Sequence, residues 1–190
     1  MAKAVGSLKA SLDELSQTIN LSKEAGVDLS NDPVLVNEIG QEIIDYMVDR
    51  AKDGRGLGGE KLKSPYSKEY SESLEFKAFG KSRNEVNMTL TGDMLGAIDI
   101  ADDSADRLKI AIVEDDQVPK AYNHQVGDTV PRRTFFGLTK EELDEVLSNY
   151  KDEFNQIKED RADTVRRIRE GLAQRSLINI ARNLGFDEEF

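Results

Sequence analysis

Val36, Ile39, Ile43, Met47 and Ala51 recur at three- and four-residue steps, and Ile44 and Val48 widen the stripe. That spacing gives one apolar helical face. Asp32 and Pro33 supply an N-cap and a proline at the first helical position, so a helix is predicted from about Pro33 to Lys52. Upstream, Leu8, Leu12, Leu15 and Ile19 step by 4, 3 and 4. So narrow a stripe predicts a helix that packs on a neighbour instead of building a core, followed by the linker EAGVDLSND. Downstream the period shortens. Val86, Met88 and Leu90 alternate as in a strand with one buried face. Thr91 and Gly92 end it, and Asp93 to Ile98 makes one or two helical turns. Leu108, Ile110 and Ile112 alternate again, with Asp102 to Asp106 as the polar connection of a hairpin or a longer turn. Thr139 and Glu142 form a capping box. The helix it opens carries Leu143, Val146, Leu147, Tyr150, Phe154 and Ile157 on one face. Val165, Ile168 and Leu172 resume the stripe after the charged run Lys158 to Asp163, and a last short helix ends at Gly185.

Helix, strand, short helix, hairpin and long helix in this order predict an α+β fold, a small antiparallel sheet packed by helices. Three regions are expected: a helical N-terminal arm over 1–31, an α+β core domain over 32–157, and a basic helical C-terminal extension over 158–190. Both extensions read as surfaces completed by another chain, dispensable for folding and needed for assembly.

Composition narrows the function classes. With 38% hydrophobic and 33% charged residues, the core is modest and the helices are well solvated. A net charge of −11 argues against indiscriminate attraction of the whole chain to nucleic acid or anionic membrane. There is no cysteine, which excludes disulfides, thiolate metal sites and a cysteine nucleophile and suits a reducing cytosol. No apolar run approaches the roughly 18 residues that span a bilayer, and the N-terminus lacks a signal-like stretch. A soluble protein made in a cytoplasm is expected. The charge is uneven. Residues 85–116 carry nine acids against two bases, whereas 161–182 carry six arginines against two acids. Opposed charges of this kind favour head-to-tail subunit contacts. Residues 49–83 form a mildly basic island, nine bases against six acids.

Gly54, Gly56 and Gly59 satisfy G-x-G-x-x-G. A dinucleotide loop needs a strand before it and a helix N-terminus after it. Here a helix precedes the glycines and a Lys/Ser/Pro loop follows, and Glu60 stands where a Walker A loop needs lysine. A helix C-cap leading into a mobile loop fits better.

The most unusual stretch is AYNHQVGDTVPRRTFFGL, residues 121–138, with the only histidine of the chain. His124 is the one available imidazole base. Ser67 and Asp128 are candidate partners, yet no nucleophile elbow or zinc-ligand pattern accompanies them. The simpler reading makes His124 a strand-end or turn residue bonded to backbone, Phe135 and Phe136 core residues, and Arg132 and Arg133 solvated or paired with nearby acids.

Taken in order, Y-x-H-x-x-G at Tyr122, His124 and Gly127, a short loop, P-R-R-T-F-F-G-L from Pro131, and a capped helix resemble the end of the core in tailed-phage neck and tail-completion proteins, the virion morphogenesis group. In that family a Tyr/His/Gly strand end leads through a variable loop to a Pro-x-Arg-x-Phe-like turn and a helix. TLTGDMLGAI, with Thr91 and Gly92, is similar to the family's Thr-Gly-x-Leu/Met segment. SPYSKEY matches a Pro/Ser/Tyr loop after the first core helix. The resemblance covers about Pro33 to Tyr150. The doubled arginine and extra aromatic of PRRTFF and the two extensions depart from it.

The resemblance implies a non-enzymatic virion protein of the head-to-tail connection. It would form a sixfold or twelvefold homo-oligomeric ring between portal or connector and tail, reside in the neck or tail after assembly in the host cytoplasm, and need no cofactor or metal. DNA would be passing cargo. Tyr122, His124 and Gly127 would shape the strand end. Pro131, Arg132, Arg133, Phe135 and Phe136 would anchor the loop that closes onto the helix or meets a neighbour. Two other readings stand beside it: a nucleic-acid-binding module using the loop from Lys61 to Arg83 or the C-terminal arginines, and a hydrolase centred on His124.

Overall fold

The apolar stripe expected after Asp32 is a helix, α2 (Pro33–Lys52), and Asp32 caps it by accepting from Leu35 N at 3.1 Å. The computed structural model describes residues 13–62, 65–88, 92–127 and 129–183, with side chains to residue 178. Leu8, Leu12, Leu90, Thr91, Asp128 and Gly185 lie outside the described residues.

The chain is α+β. Its sheet has three antiparallel strands, β1 (Ser16–Asn20), β2 (Ile98–Asp102) and β3 (Arg107–Ile112), in the order β1-β3-β2. The expected hairpin is present, and Leu108, Ile110 and Ile112 point their alternating side chains into the core. Its turn bends at Ala105, with φ +57°. Helix α2 packs on β2 and β3. Gly40 makes this close approach possible, because a Cβ there would sit 2.7 Å from Ile100 Cδ1 and 2.9 Å from Leu108 Cδ1. A mid-helix glycine costs about 1 kcal/mol in propensity, and tight helix–sheet packing offsets it.

The N-terminal arm needs correction. Ser16–Asn20 is not helical. It is the strand β1, paired with β3 from Ser16↔Ala111 to Asn20↔Arg107. Leu15, Ile19 and Leu21 are buried, so this segment builds the core and does not await a neighbour. The supposed linker is also structural: α1 (Leu21–Ala25) follows β1 directly, and Val27 and Leu29 are buried. The physical reason lies in β3, which has a free edge for β1 and an apolar face that its side chains complete.

A second expectation changes. Val86 and Met88 are buried as their alternation implied, yet 85–88 join no strand. Met88 N reaches only Ala51 O, at 3.4 Å, near the end of α2. Between α2 and this segment run the short helices α3 (Lys68–Ser71) and α4 (Leu74–Ala78), capped by Ser67 and Ser73. One further turn, α5 (Asp93–Gly96), precedes β2. The glycine loop after α2 is not slack. Leu57–Gly59 form a 3-10 turn, Leu57 N donates to Thr134 O at 2.8 Å, and Gly56 N donates to Glu60 O at 2.7 Å.

Beyond β3 come α6 (Val118–Tyr122), α7 (Lys140–Leu147) and α8 (Lys151–Asn183), with a 3-10 turn at Ser148–Tyr150. The capping box is intact: Glu142 N donates to Thr139 Oγ1 and Thr139 N to Glu142 Oε2. Helix α7 packs on α2, burying Leu143, Val146 and Leu147. The backbone divides into two units, residues 1–149 and 150–190. In the second, α8 runs for 33 residues, unbroken through Asn183 where a separate last short helix was expected. Among the described residues no helix is long and apolar enough to cross a membrane.

Candidate functional site

Pro119 in the first turn starts α6, and a π-helical turn, Asn123–Gly127, continues it. The Tyr/His/Gly motif therefore ends a helix. The expected strand end at Tyr122 and His124 is overturned, because residues 118–127 are helical and pair with no strand. At Gly127 φ is +79°, and a Cβ would stand 2.7 Å from Arg132 Cβ. Only glycine lets the chain reverse there.

The chain then returns across its own helix end. Arg133 N donates to His124 O at 2.7 Å, and residues 133–138 form an irregular strap that bends at Phe136 and Gly137 and pairs with no strand. Side chains stand where a strand would be. The buried Gln125 amide oxygen accepts from both Phe135 N and Phe136 N at 3.2 Å, and its Nε2 donates to Phe136 O at 3.3 Å. Gln17, on β1, accepts from Leu138 N at 2.8 Å and donates to Leu138 O at 3.1 Å. Arg50 Nη2 donates to Phe135 O at 2.7 Å and to Gly137 O at 2.8 Å. Each bond satisfies a backbone group that burial would otherwise leave costly. Phe135 and Phe136 are buried beneath the strap, with Leu138.

Arg50 also makes the chain's one buried ion pair among the described residues. Its Nη1 lies 2.7 Å from Glu142 Oε1, the two side chains being 5% and 8% exposed. Glu142 Oε1 accepts from Gly58 N at 3.1 Å while Oε2 serves the capping box. One carboxylate thus joins the end of α2, the glycine loop and the start of α7.

The histidine is held from the other side. Arg133 is buried, not solvated. Its guanidinium carbon lies 5.0 Å from the centre of the Tyr66 ring, and its Nη1 lies 3.3 Å from His124 Nδ1. Tyr66 packs with Tyr70 and Phe76 at centroid distances of 5.6 and 5.2 Å. An arginine cannot accept a hydrogen bond, so Nδ1 is the acceptor and the imidazole proton sits on Nε2. Burial, and then the charge of Arg133, push the His124 pKa down to about 4. Burial also lowers the Arg133 pKa from its ordinary value. At neutral pH His124 is an uncharged acceptor and a feeble proton-abstracting base. Ser67 is occupied in capping α3, accepting from Tyr70 N at 3.1 Å.

His124, Gly127, Arg132, Arg133, Phe135 and Phe136 thus come together in one strap. Arg132 is exposed and donates through Nε to Gln125 O at 3.2 Å; Pro131 is exposed at the strap's entrance and Tyr122 is half-buried before the π turn. Gly92, with φ +92°, opens α5, a helix that packs on α6. Sequence reasoning missed Gln17, Gln125 and Arg50. Only Arg50 left a trace: it falls on the Ile43–Met47 spacing, where a charged side chain occupies a core position. No group of three or more His, Cys, Asp or Glu that could hold a metal occurs among the described residues.

Comparison with models of known protein families, with curated proteins and with solved structures finds no match to this chain.

Proposed function

We propose that the chain is a structural protein of a tailed-phage head-to-tail connection, a neck or tail-completion component. It assembles in the host cytoplasm into a sixfold or twelvefold ring that joins portal or connector to tail, and DNA passes as cargo. The observation that carries this reading is the strap. The stretch with the most distinctive side chains is consumed in fastening α2, the glycine loop and α7 to one another, which suits architecture better than chemistry. Of the segments on which the resemblance rests, Gly92 opens a short helix although 85–88 before it join no strand, and PRRTFF leads without regular structure to a capped helix. The Tyr/His/Gly part departs, being helical.

The nucleic-acid reading loses support in the loop it invoked. Lys81 Nζ bonds Asn87 Oδ1 at 2.6 Å, and Arg83 Nε bonds Tyr66 O at 3.0 Å. These two cations tie the loop to itself, whereas Lys61, Lys68 and Lys77 are exposed.

Negative-stain imaging and mass photometry of the purified protein, alone and with connector proteins, test the proposal beside particles from a phage lacking it. Rings and a joining defect between heads and tails are expected. Monomers under every condition, with normal particles, reject it.

A further inference from the structure

Helix α8 spans roughly 50 Å at the standard helical rise. Val165, Ile168 and Leu172 on it are 47%, 57% and 58% exposed. Arg161 and Arg175 extend the same stripe at four- and three-residue steps, and Arg169 flanks it between Val165 and Leu172. The acids Asp163 and Glu170 fall on the opposite side, where Asp163 holds Arg166 at 3.2 Å. In a chain of net charge −11, this face is apolar and positive.

The face does not suit a second α8. Two copies laid antiparallel about Ile168 would set Arg161 against Arg175, and a parallel pair would set each arginine against itself; like charges across an interface are costly. It calls for an acidic partner with some apolar surface. The β2–β3 hairpin has both. Asp102 and Asp103 are exposed at its turn, Glu114, Asp115 and Asp116 are exposed at its foot, and Val113 beside them is 47% exposed. The distances agree. Arg161 to Arg175 covers about 21 Å along the helix, and Asp106 to Glu114 about 26 Å along an extended strand. The hairpin also forms one rim of the sheet, because β2 is an edge strand.

We propose that the arginine-flanked apolar face of α8 docks on the acidic β2–β3 hairpin of a second copy of this chain. The two surfaces differ, so the contact is heterologous and repeats head to tail, which closes into a ring when the rotation per subunit permits. This rests on the reading of the chain as a self-assembling structural protein and names the surfaces that meet.

The test uses two full-length variants, one carrying R161E, R169E and R175E, the other D102K, D103K, D115K and D116K. Circular dichroism and melting check that both fold. Sedimentation velocity over a wide concentration range should show each variant alone associating more weakly than the wild type by on the order of 100-fold. An equimolar mixture should recover association, because every contact in an alternating assembly is again between opposite charges. A chain carrying both sets should recover it by itself. In this cysteine-free chain, L172C and V113C on separate copies should cross-link.

Variants that associate like the wild type, or a mixture that stays dissociated, overturn the docking and leave self-assembly standing. A cross-link formed only within one chain carrying both cysteines overturns it too. A wild type that stays monomeric alone and with connector proteins rejects the assembly reading, and the docking with it.

Discussion

The strap and α8 both depend on arginine, in opposite ways. Arg50 and Arg133 are buried and aimed at fixed partners. Arg166 sits in water with a nearby aspartate, an exposed pair at 66% and 51%. A buried charge must be bonded or it destabilises the fold, so it dictates geometry. An exposed pair contributes about 0–1 kcal/mol and dictates almost nothing about the fold. The folded unit over 1–149 should therefore be sensitive to substitutions in the strap and nearly indifferent to those at exposed positions of α8 from Arg161 onward.

The harshest test removes residues 1–20. Strand β1 is lost with Leu15 and Ile19, and Gln17 takes away both bonds at Leu138. The truncated chain should lose its cooperative thermal transition. A sharp melt would show that β1 is an ornament of the sheet.

Next comes the ion pair. Arg50→Met leaves Glu142 buried and uncompensated and should cost about 3–5 kcal/mol in urea unfolding. Pairing it with Glu142→Leu should not recover the loss, because Phe135 O, Gly137 O, Gly58 N and Thr139 N would still lack their partners. Full recovery would mean that the pair acts only through its charges. Phe135→Ala belongs in the same range, about 3–5 kcal/mol, as a cavity beneath the strap.

His124 gives a smaller, pH-dependent effect. Its folded pKa of about 4 lies below the ordinary 6.5, so the unfolded chain binds the proton more readily. The stability this contributes is fully present above pH 6.5. It fades as pH falls and is gone below about 4, a total of about 3 kcal/mol. His124→Gln should cost no more than about 1 kcal/mol at pH 7.5. Its stability should then fall less than that of the wild type between pH 6.5 and 4, and the difference between the two curves removes the carboxylates common to both. Parallel curves would place the imidazole in water.

The mildest expectation concerns α8. Ile168→Ala and Leu172→Ala should change the melting free energy of the isolated chain by no more than about 0.5 kcal/mol. A larger loss would put these side chains in a core.

What was legible in the sequence was what local pattern controls. Asp32 and Pro33 announced α2, Thr139 and Glu142 announced α7, and the alternation around Asp102–Asp106 gave the hairpin. Phe135 and Phe136 read as core, and they are buried. What failed depended on partners distant in the chain. Leu15 and Ile19 lie at helical spacing, but β3 decides their conformation. The motif places Tyr122 and His124 at a strand end, or His124 in a turn, whereas the helix that holds them is marked locally only by Pro119 in its first turn. Gln125 is an ordinary glutamine until the strap folds over it. Glu142 announced its cap, while its bonds to Arg50 and Gly58 required knowing what α2 and the glycine loop bring near.

The pairing of β1 with β3 also shapes how the protein is made. Roughly 90 residues separate the two strands, so a nascent chain carries β1 without its partner for on the order of 5–20 s of translation. An unpaired apolar strand would be a hazard for that interval. Ser16, Gln17, Thr18 and Asn20 surround the single apolar Ile19, leaving little for a neighbouring nascent chain to grip. The polarity that hides this strand from a periodicity reading also lets it wait safely outside the ribosome.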